Sequence, residues 1–243
     1  MAVTPACAVT PDVALFRGFH PWARLAVGAW RRERVVTESF DAVGQVVDTS
    51  TTETKTTLKE VGEGQLTLVV ETTLEVAGKK LPADPVEVTQ NFVGEIDAEV
   101  ASVRDLGSQD LSINGKRYTC QVHEVELVAP HRRTVVRTWL SRRRRAPILL
   151  RRQGVTTQDT TGHTDETTSE VVEMKSRYSV LGRLRDTVMM NVERHHASGH
   201  SVMRTWQLDE VPGAVVGQVS EEFDIERHLV LRSKLELVGY GLN

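Results

Sequence analysis

The chain has 243 residues, enough to bury a sizeable core as one larger β domain or two small ones. Thirty Lys and Arg against 33 Asp and Glu leave a formal net charge of −3, which removes any global pull toward nucleic acid, and no nucleic-acid partner is expected. A hydrophobic share of 40% lies above the disordered class, and no stretch approaches the roughly 18 consecutive apolar residues of a membrane span.

Residues 1–29 read as an irregular N-terminal arm with one short amphipathic piece. Phe16, Phe19, Trp22 and Leu25 fall at spacings of three, which suits a helical turn broken at Pro21. The arm either packs on a sheet edge or forms a lid over an apolar groove. Residues 1–16 lack a basic segment and a long apolar run, so they do not read as a signal peptide. Location is then the cell envelope if a leader has been removed, and the cytoplasm otherwise. Cys7 and Cys120 suggest neither a disulfide framework nor a zinc site, and Cys120 reads as a small buried residue of an alternating strand.

From Trp30 onward the signal is almost wholly β. Residues 30–38 form a strand, Asp41 to Gly44 a turn, and the threonine-rich segment 45–60 an extended run whose β-branched side chains leave one face wet. Residues 65–76 alternate over a long strand, and 86–103 give a strand pair. Strands follow at 116–128, 134–141, 147–155, 171–180, 187–194, 201–208, 214–223 and 229–240, the last two turning near Glu226.

One stretch is used twice. Residues 112–139 align with 179–206 at a constant offset of 67, and the identities are Ser112/Ser179, Gly115/Gly182, Val125/Val192, Glu126/Glu193, Val135/Val202, Arg137/Arg204, Thr138/Thr205 and Trp139/Trp206. No gap is needed. Each copy runs on to a proline and an apolar segment, so the repeat extends over 112–155 and 179–223. An apolar-x-Gly-basic turn opens both copies, at 113–116 and 180–183, and occurs a third time at 76–79. The fold class is therefore mainly β: an antiparallel, internally duplicated, open or half-barrel-like sheet with little helix, in a single domain over 30–243.

The chain has no nucleophile elbow, no zinc-protease helix, no phosphate loop and no dinucleotide fingerprint, and it reads as a non-enzyme without cofactors. His195, His196 and His200 crowd one hairpin tip, either as a solvated turn or as weak metal ligands, the latter supporting a third reading as a metal enzyme or hydrolase. Arg142, Arg143, Arg144 and Arg145 occupy one turn between strands, as a solvated turn or a contact for an anionic partner. Trp139 and Trp206 end alternating strands, as core or as the wall of an apolar groove. With Trp30, Leu149 and Val215 they make up the candidate ligand-binding set.

The run Gly115-Lys-Arg-Tyr-Thr-Cys120, an alternating strand, Arg137-Thr-Trp-Leu-Ser141 and Pro147 resembles the LolA/LolB-type lipoprotein-carrier fold and its bacterial envelope relatives. The resemblance implies an incomplete antiparallel barrel with helices across its opening, and a lipid, an acyl chain or a protein partner in the concavity. The expected function is non-enzymatic binding of an apolar ligand or partner on the concave face of a curved sheet. The alternative is a structural or interaction module of the envelope that uses the arginine turn and has no ligand groove.

Overall fold

The computed structural model describes residues 14–96, 98–141 and 148–243. One helical turn, α1 (Ala14–Arg17), precedes fourteen strands: β1 (Trp30–Phe40), β2 (Val46–Val61), β3 (Gln65–Val76), β4 (Lys79–Pro82), β5 (Val86–Asn91), β6 (Glu99–Ile113) and β7 (Lys116–Ala129), then β8 (Arg132–Ser141), β9 (Ile148–Gln158), β10 (Thr164–Val180), β11 (Arg183–His196), β12 (Gly199–Gln207), β13 (Val215–Asp224) and β14 (Leu229–Gly241). All belong to one antiparallel sheet ordered β4-β3-β2-β1-β14-β13-β12-β11-β10-β9-β8-β7-β6, with β5 sharing the outer edge of β3. The sheet does not close into a barrel. Among the described residues α1 is the only helix, and no helix is long and apolar enough to cross a membrane.

Local chemistry sets the hairpins. Ala77-Gly78, Asn114-Gly115 and Leu181-Gly182 each hold positive φ at both positions, and each joins strands whose last paired residues are Val76↔Lys79, Ile113↔Lys116 and Val180↔Arg183. Those are two-residue turns whose twist matches that of the flanking strands, with glycine where a Cβ would be strained. Two longer turns use aspartate: Asp41 Oδ1 accepts the N–H groups of Val43 and Gln45, and Asp224 Oδ1 those of Glu226 and His228.

The repeat is structural as well as sequential. In the first copy Val125 faces Val136 and Val122 faces Trp139; in the second Val192 faces Met203 and Met189 faces Trp206. Both hairpins share one register, and in both a register shift follows the tryptophan, between Trp139 and Leu140 and between Trp206 and Gln207. Such bulges bend the strand and raise its twist, which lets so long a sheet curl over.

The curl brings the two ends of the sheet onto a common core. Leu58, Leu66 and Leu68 from β2 and β3 pack with Val125, Leu127, Val136 and Leu140 from β7 and β8, and Phe16, Trp22 and Phe92 complete the cluster. A second core holds Cys120, Val122, Trp139, Leu150, Val171 and Met190; a third holds Val180, Val211, Val216 and Leu237. Between the ends the same face is mixed, with a row of Thr52, Val35, Leu235 and Gln218 beside a row of hydroxyls. Ser50, Thr37, Ser233 and Ser220 form one cross-strand row over β2, β1, β14 and β13, all half-buried. Threonine and serine tolerate that half-wet surface where leucine would not.

Several strands run longer than the sequence pattern predicts, β6 and β10 by polar extensions. β6 continues to Ile113 through the polar stretch Arg104–Asp110, and β10 begins at Thr164 inside a threonine-rich segment. Neither extension alternates apolar and polar residues. Pairing with β7 and β9 holds them extended, so backbone hydrogen bonds carry what side-chain pattern does not.

Candidate functional site

The arm covers one end of the concave face. Backbone bonds from Phe19 and His20 back to the Phe16 carbonyl wind the first turn, and the bond from Leu25 to the Trp22 carbonyl winds a second after Pro21. Gly28 donates to the Leu58 carbonyl and Leu58 to that of Ala29, which pins the arm to β2. The side chains at spacing three then face the sheet: Phe16 and Trp22 are buried in the first core and Phe19 and Leu25 pack against it.

Beneath this arm lies a pocket of 280 Å³. Leu140 and Leu149 line it from β8 and β9, Phe16, Phe19 and Trp22 from the arm, and Phe92 and Val93 from the turn after β5. Polar groups enter at a few points: Thr138, His20, Gln90 and Arg152, the last ion-paired with Glu95. His20 is 5% exposed, and its Nδ1 accepts the backbone N–H of Trp22 at 3.3 Å. Burial lowers its pKa from 6.5 to about 4, with a smaller opposing effect from Gln90, so the imidazole is neutral near pH 7.

A larger hollow of 420 Å³ lies on the opposite, convex face over β11, β12 and β13. Trp206, Val202 and Val219 supply its apolar wall, but Glu193, Arg204 and Glu221 interrupt it, and Glu193, Val202 and Arg204 are exposed. The smaller pocket differs in that the N-terminal arm forms one of its walls and most of the side chains around it are aromatic or aliphatic. Its geometry outweighs the difference in volume.

The residues singled out in the sequence are dispersed by the fold. Leu149 lines the covered pocket. Trp139 lies in the second core, 6% exposed, where its indole N–H donates to Gln109 Oε1 at 2.7 Å and the Arg151 guanidinium sits 5.4 Å from its ring centroid. Trp206 stacks on Tyr178 with centroids 4.5 Å apart, and the Tyr178 ring in turn lies over Gly217, where any Cβ would collide with it. Trp30 lies over Gly241 of β14 in the same way and rests against Gly239 in ordinary contact. Val215 is half-buried opposite Gln207.

At the histidine tip, His195 and His200 pair across the hairpin with ring centroids 6.0 Å apart, His200 stacks on Phe223 at 4.8 Å, and His196 Nδ1 meets Ser198 Oγ at 2.9 Å. Among the described residues no three His, Cys, Asp or Glu side chains converge as a metal site. Arg142, Arg143, Arg144 and Arg145 lie outside the described residues. Cys120 is buried, and burial pushes its thiol up to about 11, which suits a structural rather than a reactive sulfur.

Most of the pocket wall escapes sequence reasoning on the sheet side. The arm aromatics announce themselves by spacing. Phe92 and Leu140 look like any strand residue, and only the curl of the sheet places them opposite the arm.

No protein-family model matches the chain, and no curated protein matches it in sequence. Among solved structures it is similar to a candidate lipoprotein from Parabacteroides distasonis ATCC 8503, with TM-score 0.38 and 8% identity over 92% of this chain and 98% of that one. It is similar also to a candidate exported protein with YmcC-like fold from Bacteroides fragilis NCTC 9343, with TM-score 0.37 and 9% identity over 92% and 98%. The hypothetical lipoprotein YmcC from Escherichia coli K12 gives TM-score 0.27 and 10% identity over 96% and 98%. At that overlap the likeness carries no ligand, activity or location over to this chain.

Proposed function

We propose that the protein is a non-enzymatic binding protein of the bacterial envelope that holds an apolar group in the pocket beneath its N-terminal arm. The observation that supports this most directly is the convergence of the arm's aromatic residues, Phe92, Leu140 and Leu149 on one covered hollow. Ligand pockets run from about 300 to 1,000 Å³, so 280 Å³ is at the small end. It suits one acyl chain or one large side chain and not a multiply acylated anchor. Kinship with LolA/LolB-type carriers belongs to this reading, with the cargo reduced to a single apolar arm.

A neutral fluorescent probe, N-phenyl-1-naphthylamine, tests it. The wild-type protein is expected to enhance its fluorescence saturably, and Leu149→Trp, which fills the pocket from β9, to abolish the enhancement while circular dichroism is unchanged. Trp206→Ala, at the convex hollow, should leave it intact. Unchanged binding to Leu149→Trp overturns the assignment, and lipid extraction with native mass spectrometry of gently purified protein then decides whether any apolar cargo is carried at all.

A further inference from the structure

The arm that covers the pocket carries one titratable group whose charge opposes docking. His20 sits between the arm's two turns, lines the pocket and is buried. The Trp22 N–H can only donate, so His20 Nδ1 is the acceptor of their 3.3 Å bond and carries no proton. A proton added there would set two N–H groups against each other and place a charge among aromatic rings. The Phe92 ring lies 6.2 Å from the imidazole, centroid to centroid, and Phe16 and Trp22 line the same pocket.

Among the described residues around the ring, no carboxylate is left to compensate that charge. Gln90 of β5 is neutral, and Glu95, in the turn that follows, is taken up by Arg152 of β9. Arg17 of α1 lies over the Phe92 ring, a like charge to an imidazolium, and Arg31, over the Trp22 ring, is paired with Glu33. His123 of β7 packs nearly perpendicular to Phe16 and offers no negative charge either. Burial lowers the His20 pKa from 6.5 to about 4, so below pH 6.5 a free arm must shed a proton to dock. A basic group with a lowered docked value gives docking strength that is full above 6.5. That strength is lost about tenfold per pH unit as pH falls toward 4. We propose that His20 is the arm's latch: at mildly acidic pH its protonation frees the arm from the sheet and opens the pocket for release of its cargo. The cargo rests on the pocket reading, and the latch does not.

Hydrogen exchange on the whole protein tests the latch without any ligand. The Leu25 N–H is held by the Trp22 carbonyl and the Gly28 N–H by that of Leu58, so both report arm docking. Their protection is expected to fall about thirtyfold between pH 7.5 and pH 5 while that of β13 stays constant. His20→Asn, whose Oδ1 accepts the N–H two residues on but does not titrate, should keep the arm's protection flat across that range. The dissociation rate of N-phenyl-1-naphthylamine should rise about thirtyfold in wild-type protein over the same interval and hold steady in His20→Asn. Arm protection that ignores pH in wild-type protein overturns the proposal whether or not the variant folds, and so does an equal fall in His20→Asn. An unchanged dissociation rate from an arm that opens overturns its role as the gate. If the arm opens as described but the probe never binds, the latch is supported and the pocket reading fails.

Discussion

The two copies of the repeat share turn, register and bulge, yet they live in different surroundings. In the first, β7 and β8 are covered on both faces: Val125 and Val136 are fully buried in the core shared by the sheet's two ends, and Val122 and Trp139 in the second core. In the second, β11 and β12 bury one face only, and Glu193, Val202 and Arg204 stand in solvent on the other. The same contrast reaches the charges. Glu124 is 5% exposed and accepts hydrogen bonds from both Arg104 and Arg137; its counterpart Asn191 stands on the open face by the corresponding Arg204. One local design thus serves as a central hairpin in one place and as an outer hairpin in another, because burial is set by what the curl of the sheet brings against it.

The widest gap between the copies is expected at the tryptophans. Trp139→Ala should cost about 3–5 kcal/mol in urea unfolding, since it empties a closed core. Trp206→Ala should cost about 1–2 kcal/mol, chiefly the lost stack on Tyr178 and part of its buried area. Equal losses would mean that the second hairpin is covered as fully as the first.

A middle-sized difference lies in the ion pairs. Glu124→Gln should destabilise by about 2 kcal/mol through weakened charge-assisted hydrogen bonds, whereas Asn191→Glu, which offers Arg204 a partner on an open face, should gain less than about 1 kcal/mol. The hydrogen bond from Arg137, and then that from Arg104, holds the Glu124 carboxyl below its ordinary 4.5. A depressed carboxyl contributes stability that is present above its unfolded value and lost as pH falls through its folded one. Wild-type protein should therefore lose stability below about pH 4.5 more steeply than Glu124→Gln. Parallel pH profiles would contradict the pairing.

The smallest effect should be the same in both copies. Gly115 and Gly182 have φ of +72° and +77°, and an added Cβ would meet nothing within 4 Å at either. Alanine at each should cost about 1 kcal/mol by backbone strain alone. A larger cost in the first copy would show that burial reaches into the turn.

Much of this was legible in the residues. The x-Gly turns marked three chain reversals, the spacing of Phe16, Phe19 and Trp22 marked an arm that packs on a sheet edge or covers a groove, and alternation placed most strands. The candidate site was only half legible. Of the residues named from sequence, Leu149 lines the pocket beneath the arm, Trp30, Trp139, Trp206 and Val215 are spread over the sheet and do not line it, and Phe92 and Leu140 carry no sequence signal that separates a pocket wall from ordinary core.

What the sequence alone determined is local: where the backbone turns, which segments alternate as strands, and that they form an antiparallel sheet with little helix. Two-residue turns and β-branched runs decide this within a few residues, because their φ preferences and pleat act at short range. Tertiary structure decided which copy of the repeat became core and that the arm, Phe92, Leu140 and Leu149 line one pocket. Those outcomes depend on how far the bulges curl the sheet, and curl is summed over every strand pair rather than written in any one of them.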